Sequence, residues 1–180
     1  MNHEVETKIL NVNRDVLAER FLVLGAEKIL ATRLTVDWFR PEGVKEGEED
    51  WFLRIRTSSE GATEVTWKGK SEKLGASRRH KEINVKVPDH ETMAALFEAI
   101  GLARYAHQEK DRTSWRLKDW RFDLDQYPGM PAYLEIEGTD EAHIQEAISL
   151  LNLRAHEACS EGERILIQTK YGLDWYAMKF

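Results

Sequence analysis

Residues 4–8, EVETK, place a charge at every second position: Glu4, Glu6 and Lys8, with Val5 and Thr7 between them and Ile9 beyond. As a β-strand, this stretch sets two carboxylates and an ammonium on one face and the more apolar side chains on the other. Such a face either looks into water or lines an interior built to hold charge. The remaining strands bear on which.

The same alternation recurs along the chain. Residues 32–39, 50–56, 63–70, 80–87, 108–117, 120–127 and 132–138 all have strand patterning, with hairpin turns at 58–61, near Gly75 and at Lys118-Asp119. Arg54 and Arg56 share one face, opposite Leu53 and Ile55. Thr66, Lys68 and Lys70 oppose Val65 and Trp67. Gln108, Lys110, Arg112 and Ser114 align, as do Arg121, Asp123 and Asp125, and then Glu135 and Glu137. Basic residues thus gather on the middle strands and acids on the first and last. An open antiparallel sheet would turn these faces to solvent. A sheet closed into a barrel would aim them all inward, where so much charge must be paired, hydrated or occupied. Clustered Arg and Lys suit a polyanion, and clustered Asp and Glu suit a hard divalent cation.

Helices separate the strands. One starts after Asn13, carries Val16, Leu17, Phe21 and Leu24, and stops at Gly25. A second follows Pro88-Asp89 and stops at Gly101. A third starts at Thr139 or Asp140 and runs through Leu151. Ser160 and Glu163 have capping-box spacing for a fourth that ends at Gly172. A weak repeat relates RFLVLGAE (20–27) to LFEAIGLA (96–103), each following a strand and preceding another. The pattern predicts one α+β domain over 1–180, mostly antiparallel sheet. The net charge of −6 argues against a general nucleic-acid binder, and charged Glu4, Glu6 and Lys8 interrupt any N-terminal apolar run. With a single cysteine, Cys159, no internal disulfide forms, and the expectation is a cytoplasmic protein with no membrane segment. Of six tryptophans, Trp67 and Trp115 fall on apolar faces, while Trp38, Trp51 and Trp120 fall near strand ends, where a barrel mouth would lie.

Taken in order, EVETK, LRIR (53–56), the lysine of TWKGK (66–70), KDR (110–112) and FDLDQYPGMPAYLEIEG (122–138) resemble the signature of the CYTH superfamily, the triphosphate tunnel metalloenzymes. That family includes class IV adenylyl cyclases, thiamine triphosphatases and inorganic triphosphatases. The resemblance implies a closed antiparallel barrel, a tunnel of about eight strands with helices packed outside. It implies Glu4, Glu6, Asp125, Glu135 and Glu137 as ligands for one or two Mg²⁺ or Mn²⁺ ions. It implies Lys8, Arg54, Arg56, Lys68, Lys110 and Arg112 as the grip on a triphosphate, with Lys70 a further member of that face. Glu4, Glu6, Lys8 and Asp125 would carry the catalysis.

In RRHKEINV (78–85), His80 stands where the family has an arginine two residues before Glu82. Arg78 lies further along the same face, and Arg79 would take the phosphate contact if the strand carries a bulge. The C-terminal residues 169–180 match nothing recognisable. The implied activity is metal-assisted attack on a triphosphate: a triphosphatase acting on tripolyphosphate, ATP or thiamine triphosphate, or a cyclase converting ATP to cyclic AMP and pyrophosphate. A non-catalytic polyphosphate-binding module is a third reading, and an outward-facing β scaffold a fourth. The expected partner is a triphosphate-bearing small molecule, with no nucleic acid or membrane, and the chain would be a monomer or a homodimer.

Overall fold

A computed structural model describes residues 2–45, 48 and 50–180, except for the side chains of residues 2–4. The sheet closes on itself. Eight strands form the wall: β1 (Asn2–Ile9), β2 (Glu27–Pro41), β3 (Phe52–Ser58), β4 (Thr63–Lys68), β6 (Ser77–Val87), β7 (Leu102–Leu117), β8 (Trp120–Gln126) and β9 (Tyr133–Gly138). They run in the ring order β1-β9-β8-β7-β2-β3-β4-β6 and back to β1, each pairing antiparallel. The short strands β5 (Glu72–Leu74) and β10 (Ala158–Cys159) extend β6 and β1, and β11 (Ala177–Met178) pairs parallel with β7. The weak repeat has a spatial counterpart, since β1 pairs with β6 and β2 with β7.

Four helices pack outside. The helix α1 (Arg14–Val23) begins where Asn13 Oδ1 accepts from the amides of Asp15 and Val16, and the chain turns away at Gly25 with φ +74°. Asp89 and Asp140 cap α2 (His90–Ala99) and α3 (Glu141–Leu150) in the same way. The apolar face of β1, β8 and β9 meets α1 and α3 through Ile9, Phe21, Phe122, Leu134, Ile136 and Ile144, all at 0% exposure. Burial of that order supplies the main drive for wrapping helices around the barrel. Ala94 and Phe97 of α2 pack against Phe39 and Ile55.

The fourth helix differs from expectation. It spans only Glu163–Ile165 and runs on as a π-helical turn, Leu166–Lys170. Its N-cap is Gly162, with no side-chain cap, so Ser160 and Glu163 form no capping box. The Glu163 side chain is turned into the barrel instead. Strand β2 also departs from the general pattern. Its register with β3 and β7 puts Thr32, Leu34, Val36 and Trp38 inside and Arg33, Thr35 and Asp37 outside. Asp37 is buried beneath α2, where it meets His90 at 2.8 Å, His107 at 2.7 Å and Arg104 at 3.0 Å. The charge on this strand therefore anchors a helix rather than lining the tunnel. Among the described residues, no helix is long and apolar enough to cross a membrane.

Candidate functional site

Alternation on a closed wall brings the polar faces to one axis. On β1, Glu6 and Lys8 are fully buried. Lys8 Nζ lies 3.0 Å from Glu135 on β9 and 3.5 Å from Glu6. Arg78 of β6 donates through Nε to Glu6 Oε1 at 2.6 Å. Lys68 of β4 reaches Glu6 at 3.5 Å and Glu82 at 2.6 Å, and His80 stands 3.4 Å from Glu82. Burial alone would raise the Glu6 carboxyl, but Arg78, Lys68 and Lys8 together hold it well below the usual carboxylate range.

A second band crosses β7, β8 and β9. Lys110 pairs with Asp125 at 2.8 Å, and Arg112 donates to Asp125 through Nε at 2.6 Å and to Asp123 through Nη1 at 2.5 Å. Ser114 donates to Asp123 at 2.5 Å. Burial works against the Arg112 charge, yet Asp123 and Asp125 secure it and push its proton affinity up.

Arg54 and Arg56 of β3 complete the basic side. The Arg54 guanidinium lies 5.4 Å from the centre of the Trp38 ring, and its buried Nε has no hydrogen-bond partner among the described residues. Arg56 pairs with Glu64 at 2.6 Å. Its pKa is nevertheless lowered, by burial first and then by Arg54 and Arg112. Guanidiniums held close enough to weaken one another make a seat for an anion of high charge. Arg112 lines two cavities. One is also walled by Arg54, Lys68, Arg78, Trp38 and Trp175. The other is walled by Arg56, Arg121 and Lys86.

The acids gather beside this layer. Asp123, Glu135 and Glu137 each bring one carboxylate oxygen within 4.8 Å of the others. Glu6 is directly opposite Glu137 in the β1–β9 register. Hard oxygen donors at this density fit Mg²⁺ or Mn²⁺.

Several residues stand differently from the sequence expectation. The β1–β6 pairing carries no bulge: Val5 faces Arg79 and Glu6 faces Arg78. Arg78 therefore points inside, and Arg79 points outside to pair with Glu72 on β5. Lys70 is also outside, because β4 ends at Lys68 and the alternation stops there; it is 76% exposed and pairs with Asp50. The Glu4 side chain lies outside the described residues, though its backbone pairs with His80. Asp125 is engaged by Lys110, Arg112 and Tyr133, and the acidic trio holds its neighbour Asp123, which is itself engaged by Arg112 and Ser114. Trp120 is not at a mouth: it is buried and stacked on His143 with 4.4 Å between ring centres. Trp115 packs on Phe21 in the core, while Trp67 is only half-buried, on the outer wall near Lys81.

Tyr127, Tyr133 and Glu163 join the site without a sequence expectation that placed them there, Glu163 being expected only in a capping box. Glu163 accepts from Lys110 at 2.6 Å, Tyr133 at 2.6 Å and Tyr127 at 3.0 Å. Burial alone would raise its carboxyl, but Lys110, Arg54 and Lys8 draw it well below the ordinary range. The alternation of YLEIEG does put Tyr133 on the face of Glu135 and Glu137. Nothing local announces Glu163.

Comparison with known proteins agrees with this geometry. A protein of Methanocaldococcus jannaschii named "Putative adenylate cyclase MJ0240" is 30% identical over 136 residues, covering 74% of this chain and 75% of that protein. A solved protein of Pyrococcus horikoshii superposes with TM-score 0.73 at 21% identity, covering 93% of this chain and 99% of the other. A Hippeastrum protein, described as a "putative adenylyl cyclase" with a dominant triphosphatase activity, superposes with TM-score 0.65 at 11% identity and 96% coverage of both chains. Those two likenesses speak to the fold. The model of the CYTH domain matches residues 2–163, and with the closed barrel and its inward charge this makes the chain a member of the CYTH domain family.

Proposed function

We propose that this chain is a metal-dependent triphosphatase that binds an inorganic or organic triphosphate along the barrel axis. The observation that carries the reading is the adjacency of Arg54, Arg56 and Arg112 to the trio Asp123, Glu135 and Glu137, with Arg112 reaching both Asp123 and Glu135. Cations and hard-metal ligands gathered at one place in the tunnel suit a phosphate chain with its metal ion.

In this reading Arg54, Arg56, Arg112 and Lys110 neutralise the phosphate oxygens, and Lys8 and Lys68 add charge from the β1 and β4 side. Arg78 takes the role expected of Arg79, and Lys70 serves no inner contact. Asp123, Glu135 and Glu137, with Glu6 and Glu4 from β1, would hold one or two Mg²⁺ or Mn²⁺ ions. Such an ion supplies charge stabilisation and a lowered pKa for the attacking water. The salt bridges of Lys8 and Arg112 with Glu135 fix that carboxylate in place, so little reorganisation accompanies the reaction.

Cyclisation of ATP is the second reading. The cavity beside Arg54 is walled by Trp38, Phe52 and Trp175, rings that suit a nucleobase, and the Methanocaldococcus jannaschii relative carries a cyclase name. Incubation with tripolyphosphate, ATP and thiamine triphosphate plus Mg²⁺ or Mn²⁺ separates the readings. Orthophosphate release supports the triphosphatase, and cyclic AMP with pyrophosphate supports the cyclase. Binding without turnover under either metal would leave a polyphosphate-binding module.

A further inference from the structure

The carboxylate of Glu163 is surrounded like a bound oxyanion. Lys110 Nζ and the Tyr133 hydroxyl each stand 2.6 Å from Oε1, and the Tyr127 hydroxyl 3.0 Å from Oε2. Lys110 needs no second acid, since Asp125 already pairs with it at 2.8 Å. Burial and the neighbouring carboxylates hold both tyrosines in their protonated, donating form. Lys110, Tyr127 and Tyr133 belong to the barrel wall or the turn that follows β8, whereas Glu163 comes from outside the wall, on α4. That helix is three residues long and lacks a side-chain cap. It is tethered by buried Leu166 and Ile167, which pack with Leu10 and Trp175. The carboxylate lines the same cavity as Arg54 and Arg112.

We infer that Lys110, Tyr127 and Tyr133 form a seat for a tetrahedral oxyanion, the end phosphate of a polyphosphate, which the Glu163 carboxylate holds until the ligand displaces it. The inference rests on the reading of the tunnel as a triphosphate site. One ammonium and two hydroxyl donors, with Arg54 contributing charge, match the oxygens of a terminal phosphate better than they match one carboxylate. Asp125 and Glu163 already share Lys110 and Tyr133, so a phosphate entering the seat would be a third anion at low local dielectric, and it displaces the one of the two that is not fixed in the barrel wall. Displacement is feasible because Glu163 sits on a short segment whose movement leaves the strand ladder intact. Glu163 then sets affinity: every ligand that uses this seat must compete with it.

Calorimetric titration with tripolyphosphate in chelator, so that no turnover occurs, tests this on the wild type, Glu163→Gln and Glu163→Ala. Both variants are expected to bind about tenfold more tightly than wild type, a difference calorimetry resolves easily. Tyr133→Phe removes a donor that Glu163 also uses, and it should bind more weakly because a terminal phosphate, with the higher charge, draws on that hydroxyl more strongly than one carboxylate does. Equal or weaker binding by folded Glu163 variants would overturn the inference while wild-type binding upheld the triphosphate reading. No binding by the wild type, with or without Mn²⁺, would overturn both. If neither Glu163 variant folds, Tyr133→Phe decides: unchanged affinity counts against the seat.

Discussion

Arg78 and Glu6 meet across the seam that closes the barrel, the guanidinium Nε donating to the carboxylate at 2.6 Å. The two residues lie opposite each other in the β1–β6 register. The contact joins the last strand pair of the ring and settles which side chains of β6 point inward. It also ties Lys8 and Lys68 to the acids through one shared carboxylate.

Removing Arg78 leaves Glu6 buried with weaker partners. Arg78→Ala should cost about 3 kcal/mol of stability, the order seen when one half of a buried pair is lost. Arg79→Ala, whose side chain is 44% exposed, should stay within about 0.5 kcal/mol of wild type. Urea unfolding of the two variants checks this, and equal losses would mean that Arg78 does not occupy the inner side of β6 alone.

Arg54→Ala should weaken triphosphate binding roughly a hundredfold, as expected when a charged hydrogen-bond donor worth about 2–3 kcal/mol is removed. Its Nε has no protein partner among the described residues, so no hydrogen bond is lost at that atom. The loss should appear in KM or in Kd for tripolyphosphate. Unaltered binding would remove Arg54 from the phosphate grip.

Mn²⁺ titration addresses the acidic trio. Glu135→Gln and Asp123→Asn should each weaken Mn²⁺ binding about 10–100-fold, in line with loss of an oxygen ligand or its support. Glu6→Gln should abolish metal-dependent turnover with the fold retained. Full activity in Glu6→Gln would exclude that residue from the site.

Acid should destabilise the barrel through these same groups. Glu6, Asp123 and Glu163 all have carboxyls lowered in the folded state despite burial, because neighbouring cations favour their charge. Their stabilisation is complete above the unfolded carboxylate values, about 4, and is lost as pH falls through the lower folded values. Melting temperature should therefore be flat from about pH 7 to pH 5 and fall steeply below about pH 4. Glu6→Gln should flatten that slope, and a slope equal to wild type would place the linkage on other acids.

Much of this architecture was written locally. Asn13, Asp89 and Asp140 cap their helices as their neighbours in sequence predict, because capping depends only on the next three residues. The inward faces of β1, β3, β7, β8 and β9 follow from alternation, since a strand has no other way to place successive side chains. Trp38 lines a cavity as a residue near a barrel mouth would, but the inward side of β2 is apolar; Asp37 is needed outside, under α2.

Sequence alone determined which residues share a side of each strand, and with them the charge that the tunnel carries, because period-two geometry is a property of the chain itself. Tertiary structure decided the rest. The strand seam chose Arg78 over Arg79, since register is set by pairing between segments some seventy positions apart. It also carried Glu163 from a segment beyond the last barrel strand into a nest of Lys110 and two tyrosines, a contact for which no spacing in the chain could speak.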